Sequence, residues 1–317
     1  MNRAFPRNED YARLVLDRLA ELTAMVSPEL RRPVRALANA PGKRIRPHLL
    51  EVCSRFGAPY RTRLVRLGAM VELIHIGSLL HDDVIDRATV RRTRPAAHTV
   101  DGHEIAVLAG TACVALAAQE AVELGPEVML AVSSTATALS YGELLDVERA
   151  FDLNLRTGEY VNIARHKTGK LFRLCCVLGA AEAGADPILL DRLAVFGDEV
   201  GVAFQIADDC RDLWSADTGK PIGTDHRLGL FGLPTLCALR RGAPGLAELL
   251  LSPALTDHDL PVIRAQVLTV GGIDEAMSVA LRHREKAVAA LGEAARSSTG
   301  QVLLKTIERL WPCGTPT

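Results

Sequence analysis

The sequence predicts an all-α fold, and three observations support that prediction. Apolar residues recur with the helical period, as in Tyr11–Met25, where Leu14, Leu19 and Leu22 have charged residues between them. The composition is rich in Ala, Leu, Glu and Arg, which favour helices. No segment shows the sustained alternation of apolar and polar residues that is typical of strands.

The helical pattern recurs along the chain, and stretches that contain Pro and Gly separate its segments. The predicted helices are Tyr11–Met25, Arg63–Leu80, Ile105–Glu123, Val128–Arg149, Gly158–Ala183, Pro187–Trp214, Leu233–Arg240, Asp257–Val270 and Asp274–Ala295. Loops or helix ends are predicted at 38–47, 92–98, 215–225 and 240–245. No long linker divides the chain, so we expect residues 1–317 to form one domain.

Composition and charge exclude several classes of function. The 317 residues include 37 basic and 38 acidic side chains, and a net charge of −1 gives no electrostatic footprint for nucleic acid. The seven cysteines form no CxxC pair and are expected to be reduced. The N-terminal segment lacks the apolar core of a signal peptide. The uncharged run Ile105–Ala118 spans 14 residues, too few for a bilayer, so we expect a cytoplasmic protein without a transmembrane segment.

The first acidic motif ends an apolar helical segment, in the sequence SLLHDDVID at 78–86. Asp82 and Asp86 are four residues apart and share one helix face, with Asp83 beside them. Like charges at this spacing repel each other, and bridging divalent cations would remove that cost. Mg²⁺ prefers one or two carboxylates together with water and phosphate oxygens, so the motif favours a phosphorylated ligand. A solvated helix end is the alternative for this motif alone.

A second acidic motif repeats the spacing. The sequence FQIADDCRDLW at 204–214 places Asp208, Asp209 and Asp212 after another apolar helical stretch, 126 residues beyond the first motif. Carboxylates on two facing helices can hold several magnesium ions around one diphosphate. Gln205 lies one turn earlier and can donate a hydrogen bond to an anion. The two motifs together favour a metal–diphosphate site over two solvated helix ends.

Basic side chains near the acidic motifs indicate a second anionic group. Arginine can bind phosphate oxygens through two N–H groups, whereas lysine acts as a mobile point charge. Each basic residue alone is usually a solvated surface charge, so the argument depends on their grouping. His75 lies seven residues before Asp82 on nearly the same face, where a ligand-facing and a structural role are both open. The basic candidates are Lys43, Arg44, Arg46, Arg91, Arg92, Lys167 with Thr168, and Lys220.

This ordered set of motifs resembles the trans-isoprenyl diphosphate synthase (polyprenyl synthetase) family, over roughly Pro41 to Leu239. Each motif is weakly specific, and their order makes the set specific. The resemblance implies an isoprenoid-synthase-type helical bundle around a central active-site cavity, usually in a homodimer. It also implies elongation of an allylic diphosphate with isopentenyl diphosphate. The motifs are GKRIRP (42–47), ELIHIGSLLHDDVID (72–86), RRTRPAAH (91–98), GE (142–143), RHKTGKLF (165–172), and FQIADDCRD with GKPIGTD (204–225).

The resemblance further implies roles for single residues, with about three Mg²⁺ ions bridging carboxylates and diphosphate. The implied metal ligands are Asp82, Asp83, Asp86, Asp208, Asp209 and Asp212. The implied contacts of the allylic diphosphate are Arg91, Lys167, Thr168, Gln205 and Lys220, among which Lys167, Thr168 and Gln205 form the catalytic set. The implied contacts of isopentenyl diphosphate are Lys43, Arg46, His75 and Arg92.

Some positions depart from the family pattern. Leu228 and Leu230 stand where the family has Glu and Lys, which removes part of the expected diphosphate-binding charge near the second motif. The aspartates are intact, so we still expect activity. The other departures are Thr93 for Gly, Gly110–Thr111 for Gly–Asp, and Asp146 for Gln.

Product length is predicted from the residues that precede the first aspartate. In this family, bulky aromatic residues four or five positions before that aspartate stop chain growth early, and this chain has Ser78 and Gly77 there. Ile74 and Val71 lie one and two turns further along the helix. We expect a geranylgeranyl or longer polyprenyl diphosphate, although close helix packing is an alternative reason for the small residues.

Two other functions remain open at this stage. A class I terpene cyclase shares helices and an Asp-rich motif, but usually has a different second metal motif and no basic set for isopentenyl diphosphate. A regulatory subunit of a heteromeric synthase tends to lose aspartates, whereas this chain keeps six in its two motifs.

Overall fold

The structure is a computed structural model that describes residues 9–40, 42, 44–91, 94–214 and 224–310. These ranges are almost entirely helical, so the all-α prediction is confirmed. Within them, the only strands are β1 (Val90–Arg91) and β2 (Arg94–Pro95), which pair antiparallel. Lys43, Arg92 and Lys220, which were predicted to bind diphosphate, lie outside the described residues.

The helices follow one another through short connections. The first half of the chain contains α1 (Glu9–Thr23), α2 (Pro28–Ala38), α3 (Ile45–Cys53), α4 (Arg61–Ile85), α5 (Ala97–Asp101), α6 (His103–Leu124), α7 (Pro126–Glu148) and α8 (Thr157–Ala164). The second half contains α9 (Lys170–Glu182), α10 (Pro187–Trp214), α11 (Thr224–Arg227), α12 (Leu233–Arg240), α13 (Leu246–Leu250), α14 (Leu260–Thr269), α15 (Gly272–Leu291) and α16 (Ser298–Glu308). Short 3₁₀ turns lie at Ser54–Phe56 and Gly292–Arg296.

Helix α10 runs through both apolar clusters of the core and joins them. Its N-terminal half contributes Phe196 and Val200 to a large cluster that includes α1, α3, α4, α6 and α9. Its C-terminal half contributes Ile206 and Cys210 to a second cluster with α8, α12, α14 and α15. The second acidic motif therefore lies on a helix that is buried along most of its length.

Six helices begin where the sequence predicted loops or nothing regular: α2, α3, α5, α11, α13 and α16. Helix α3 starts inside the GKRIRP segment, because Pro47 lies in its first turn, where no intrahelical N–H bond is lost. Its Leu49, Leu50 and Val52 are fully buried. Helix α2 likewise begins on a proline, Pro28, at its first position. Both prolines thus lie at helix starts.

The predicted helix Gly158–Ala183 is interrupted by a π-helical turn. The interruption covers Arg165–Gly169, between α8 and α9. A π-helical turn inserts an extra residue into an α-helix and often occurs at functional sites. Here it contains two of the three predicted catalytic residues, Lys167 and Thr168.

Three helices in the described ranges are long and apolar enough to span a membrane, judged by length and composition: α4, α6 and α7. The sequence prediction considered only the uncharged run within α6, which is shorter than the helix itself. The absence of a transmembrane segment stays a prediction. In α4, 72% of the apolar window is buried inside the bundle, against 17% in α7. The exposed apolar side chains of α7 include Leu130, Tyr141 and Leu144, which share one helix face and are called the α7 face below.

Candidate active site

The π-helical turn brings Lys167 and Thr168 into the centre of the bundle. A Cβ on Gly142 of α7 would lie 2.6 Å from the backbone N of Lys167, and a Cβ on Gly201 of α10 would lie 2.5 Å from Cα of Gly169. Both glycines are therefore required for α7 and α10 to approach the turn this closely. The turn is held between the helices that carry the other polar residues of the site.

Lys167 is surrounded by carboxylates. Its Nζ lies 2.5 Å from Oδ2 of Asp146 and 2.9 Å from Oε2 of Glu143, both on α7. The charges of Asp82 and Asp86 also act on Lys167, and together these four carboxylates outweigh burial and raise the pKa of the lysine. Lys167 is consequently a fixed cation beside the first acidic motif.

The first acidic motif lies at the C-terminal end of α4, with Asp86 as the capping residue. Burial is the main cause that raises the pKa of Asp82 to about 8, and the charge of Glu143 adds to it. Burial also raises the pKa of Asp86 to about 7, and the charge of Asp225 from α11 raises it further. The raised pKa values of these two carboxyls indicate that the positive charge around them is too small to keep both ionised.

Asp83 faces away from this crowd. It is 1% exposed, and its Oδ1 accepts a hydrogen bond from Nε of Arg91 at 2.5 Å. Burial opposes the charge of Arg91, but Asp83, Asp82 and Asp86 together raise the pKa of the guanidinium. Arg91 occupies Oδ1 of Asp83, whereas Oδ2 is buried and has no hydrogen-bond partner among the described residues, so the metal role of Asp83 stays a prediction. The same ion pair holds Arg91 close to the two outer aspartates.

The second acidic motif divides in the same way. Asp208 has a half-exposed side chain that pairs with Arg211, and Asp212 lies one turn further along the same helix face. Asp209 is instead surrounded by donors: it accepts from the Tyr160 hydroxyl at 2.5 Å, from Nε2 of Gln205 at 2.9 Å and from the backbone N of Leu233 at 3.2 Å. Three protein donors thus engage Asp209, and its predicted metal role stays a prediction.

Consecutive residues of the π-helical turn connect the two motifs. Lys167 pairs with Asp146 and Glu143 beside the first motif, while Thr168 donates a hydrogen bond to Oε1 of Gln205 at 2.7 Å, one turn before Asp209. The three residues predicted as catalytic are thus brought together. Each acidic motif is thus linked to the turn, the first through the charges of Asp82 and Asp86 on Lys167 and the second through Gln205.

Arg46 and His75, predicted to bind isopentenyl diphosphate, are also brought together. One terminal nitrogen of Arg46 lies 3.0 Å from Nε2 of His75. Arginine can only donate, so Nε2 of His75 accepts and the proton of the neutral ring lies on Nδ1. The guanidinium carbon of Arg46 is 5.3 Å from the ring centroid of Phe172, within the range of a cation–π interaction. Both contacts fix the direction of Arg46.

The four chain-length positions have different surroundings. Val71 and Ile74 are buried, and Ser78 is half-buried with its hydroxyl donating to the carbonyl of His75 at 2.9 Å. A Cβ on Gly77 would lie 3.0 Å from the carbonyl oxygen of Gly110 on α6. Close helix packing is therefore a sufficient reason for a glycine at position 77, and the chain-length role of the four positions stays a prediction.

The segment after α11 carries the departures from the family pattern. Leu228 and Leu230 are half-buried, and their backbone N–H groups donate to the carbonyl oxygen of Asp225 at 3.1 and 3.0 Å. The charge of Asp225 reaches Asp86. An apolar pair therefore stands where the family places two charged residues at the edge of the site.

The donor set fits a divalent cation that is completed by a ligand. Within the described ranges, no three His, Cys, Asp or Glu side chains form a closed metal site. Oδ1 of Asp86 and Oε1 of Glu143 are buried and have no hydrogen-bond partner among the described residues. Mg²⁺ usually takes one or two carboxylates and fills its remaining positions with water and phosphate oxygens. An open, carboxylate-rich site of this kind suits it.

Sequence reasoning did not assign four residues of this site. Glu143 and Asp146 share a helix face, and that spacing was a usable signal. Asp225 follows the second motif in a segment that the sequence marked only as a loop. Tyr160 had no signal, because its contact with Asp209 depends on how α8 packs against α10.

A helical bundle in which Lys167 and Thr168 link two acidic motifs is the arrangement that a resemblance to prenyl diphosphate synthases, a class of prenyltransferases, implied. The comparisons agree. The family described as polyprenyl synthetase matches residues 27–259. The chain belongs to the polyprenyl synthetase family, and it is an enzyme of the prenyltransferase type.

Relatives of several product lengths resemble the chain. The nonaprenyl diphosphate synthase of Mycobacterium tuberculosis is 37% identical over 67% of this chain and 64% of the relative's own length. The heptaprenyl diphosphate synthase component 2 of Geobacillus stearothermophilus is 32% identical over 85% of this chain and 89% of the relative. A solved polyprenyl synthase from Caulobacter crescentus, complexed with calcium and isoprenyl diphosphate, superposes with a TM-score of 0.87 at 31% identity, covering 95% and 93% of the two chains.

Proposed function

We propose that the protein condenses isopentenyl diphosphate with an allylic diphosphate, head to tail and trans, in a Mg²⁺-dependent reaction that yields a geranylgeranyl or longer polyprenyl diphosphate. The observation that supports this best is the π-helical turn. Its Lys167 pairs with Asp146 beside the first acidic motif, and its Thr168 donates to Gln205, one turn before Asp209 of the second. The arrangement gives one diphosphate both cations and carboxylate-held metal ions.

The residues available for metal are the outer aspartates of each motif: Asp82, Asp86, Asp208 and Asp212. Bound Mg²⁺ would supply the positive charge that stabilises a departing diphosphate. Lys167 and Arg91 would orient the allylic diphosphate, and the Thr168 hydroxyl and the Gln205 NH₂ group would donate hydrogen bonds to its oxygens. The number of ions is part of the proposal, at about three per site.

The second substrate would bind apart from this group. Arg46 and His75 lie against each other and would hold the diphosphate of isopentenyl diphosphate, together with Lys43 and Arg92. The allylic C–O bond breaks, and its electrons leave with diphosphate. The double bond of isopentenyl diphosphate then forms the new C–C bond, and a proton is lost to the released diphosphate. The buried apolar residues of α4 would keep water from the cation.

Product length follows from the same helix. Val71, Ile74 and Ser78 continue the face of Asp82 towards the N-terminal end of α4, and none is aromatic. A growing chain that follows this face meets no bulky ring on α4 before geranylgeranyl length. The names of the relatives, nonaprenyl, heptaprenyl and geranylgeranyl, support a product in this range.

We also propose that the chain forms a homodimer in the cytoplasm. The α7 face is apolar, and only 17% of the apolar window of that helix is buried within one chain. Apolar surface of this extent favours a protein partner. Light scattering should give the mass of a dimer, and Leu130→Glu with Leu144→Glu should give a monomer. Recovery of the wild-type chain with membranes would contradict the proposal.

Turnover by the purified protein tests the reaction. Labelled isopentenyl diphosphate is incubated with each allylic primer in turn, with and without Mg²⁺, and the products are resolved by length. Asp208→Asn should abolish elongation. Asp191→Asn, the same change at an exposed position of the same helix, should leave it unchanged. Turnover of an allylic diphosphate without isopentenyl diphosphate would instead indicate a terpene cyclase.

A subunit of a heteromeric synthase is the second candidate, as the regulatory-subunit alternative supposed. Two relatives are named as component 2 of heptaprenyl diphosphate synthases, from Geobacillus stearothermophilus and Bacillus subtilis. In that case the purified chain alone would not elongate, and addition of a partner subunit would restore turnover.

A further inference from the structure

The phenol of Tyr160 has no part in the proposed reaction, yet it is bonded to the second acidic motif. Tyr160 lies on α8 and is 7% exposed, and its hydroxyl donates to Oδ2 of Asp209 at 2.5 Å. A buried Tyr hydroxyl normally has such a partner. The partner of Tyr160 is Asp209, which lies in the same motif as the proposed metal ligands Asp208 and Asp212.

Asp209 also caps a helix from outside. Leu233 is the first residue of α12, and the preceding Gly232 has no side chain with which to cap it. The backbone N–H of Leu233 donates to Oδ2 of Asp209 at 3.2 Å. A carboxylate is favoured there, because free N–H groups and the helix dipole give the N-terminus a partial positive charge. Asp209 thus joins α8, α10 and α12.

The other oxygen of Asp209 fixes the amide of Gln205. A carboxylate only accepts hydrogen bonds, so the NH₂ group of Gln205 must face it, and Nε2 lies 2.9 Å from Oδ1. The amide oxygen of Gln205 is then turned towards Thr168, whose hydroxyl donates to it at 2.7 Å. The chain of contacts runs from Tyr160 through Asp209 and Gln205 to Thr168.

We propose that Tyr160 and Asp209 are positioning residues, which fix the Gln205 amide so that its second N–H can donate to the allylic diphosphate and its oxygen keeps Thr168 beside it. The inference deepens the proposed function and rests on it. Asp209 acts on the substrate through Gln205 and takes no part in metal binding.

Tyr160→Phe tests this inference, because it removes one hydroxyl and keeps the ring. The expected result is a fall in kcat of roughly 10- to 100-fold, as for other residues that orient a direct ligand. KM for isopentenyl diphosphate and the Mg²⁺ concentration for half-maximal activity should not change. Tyr11→Phe is the matched control: Tyr11 is equally buried, donates to the carbonyl of Leu64 at 3.3 Å and lies outside the site. It should lower the melting temperature and leave kcat unchanged.

Asp209→Asn removes the same contact from the other side, and it carries the test if Tyr160→Phe does not fold. Its new NH₂ group would face that of Gln205 and turn the amide over, so kcat should fall without a change in Mg²⁺ requirement. The double variant should lose no more than Asp209→Asn alone, since Tyr160 acts through Asp209. Multiplicative losses, or a raised Mg²⁺ requirement in Asp209→Asn, would overturn the inference.

The two proposals fail in different ways. Wild-type turnover together with an unaffected kcat in Tyr160→Phe contradicts only the positioning role. A wild-type chain that does not elongate any primer, alone or with a partner subunit, contradicts the proposed function and the positioning role with it.

Discussion

Nζ of Lys167 lies 2.5 Å from Oδ2 of Asp146, so the cation proposed to receive the allylic diphosphate already has a carboxylate partner. Glu143 supplies a second partner at 2.9 Å. The family often has Gln at the position of Asp146, and this chain therefore adds a negative charge to a site that binds an anion. That charge makes the electrostatic potential at the site less positive, which weakens the binding of a diphosphate.

Asp146→Asn should therefore improve binding of the allylic substrate. The variant keeps the shape of the side chain, and Glu143 still holds Lys167. Removing one charge that acts across several ångströms of partly solvated site should lower KM for the allylic diphosphate about three- to tenfold. Steady-state kinetics with a fixed primer measure the effect. Asp152→Asn, on the loop after α7, is the control. A raised KM would mean that Asp146 matters more as an anchor for Lys167 than as a charge.

The stability of the metal-free protein should fall as the pH rises from roughly 4 to 8. The pKa values of Asp82 and Asp86 are raised from 3.8 to about 8 and about 7. In this window the folded chain holds protons that the unfolded chain has released, so stability decreases with increasing pH. Melting temperatures across this range, with and without Mg²⁺ and pyrophosphate, measure it.

The control for the pH effect is the double variant Asp82→Asn/Asp86→Asn, which should show a flatter pH profile. Mg²⁺ with pyrophosphate should flatten the wild-type profile too, because bound cations pair with the carboxylates. A wild-type melting temperature that rises steadily over this range would contradict the prediction.

Product length should respond to the α4 face in a graded way. Ser78→Phe places a ring one turn before Asp82 and should give a shorter product than wild type. Ile74→Phe, one turn deeper, should give a product of intermediate length. Chromatography of the dephosphorylated products measures the distribution. An unchanged distribution in both variants would contradict the tunnel.

Gly77→Phe should behave differently from Ser78→Phe. A Cβ added at this position would already lie 3.0 Å from the Gly110 carbonyl oxygen, so a phenyl ring would separate α4 from α6. Loss of soluble protein is expected here, and the melting temperature of Gly77→Ala provides a milder measurement of the same effect.

His75 should act on one substrate only. His75→Ala removes the acceptor that orients Arg46 at 3.0 Å, and KM for isopentenyl diphosphate should rise roughly tenfold, as for the loss of a hydrogen bond to a charged group. KM for the allylic diphosphate should remain near the wild-type value. His258→Ala, an exposed histidine before α14, serves as the control. An equal rise in both KM values would argue for a structural role of His75.

Leu230→Lys restores the lysine that the family has after the second motif. The side chain is half-buried, its backbone N–H donates to the carbonyl of Asp225, and the charge of Asp225 in turn acts on Asp86 of the first motif. KM for the allylic diphosphate should fall by about threefold. Leu268→Lys, an exposed leucine of α14, is the control. A higher KM in Leu230→Lys would mean that the apolar pair is adapted to this chain.

The sequence predicted the long helices well, because each presents a periodic apolar face to the core. It missed α3, since Pro47 lies in a first turn that looks like a break from sequence alone. It predicted the π-helical segment as regular helix, because that turn depends on Gly142 and Gly201 approaching from other helices. Local rules describe elements, whereas such irregularities arise from packing.

The site was predicted in outline, and its internal division was not. Helical spacing already separates Asp82 and Asp86 from Asp83, and Asp208 and Asp212 from Asp209. The structure assigns the inner aspartate of each motif to a protein donor, Arg91 or Tyr160. Those donors come from distant segments, so the spacing indicated which aspartates differ but not what they bind.

The π-helical turn makes the site unusually sensitive to one kind of genetic change. Each residue of an α-helix advances the chain by about 100° around the axis. Deleting a single codon within Arg165–Gly169 would remove the extra residue and restore a regular helix, so α8 and α9 would keep their relative orientation while side chains inside the turn would change direction by that angle. Lys167 or Thr168 would then lose its partner on α7 or α10, although no residue outside the turn had been altered. An in-frame deletion of this size should therefore be more harmful here than any single substitution in the same stretch.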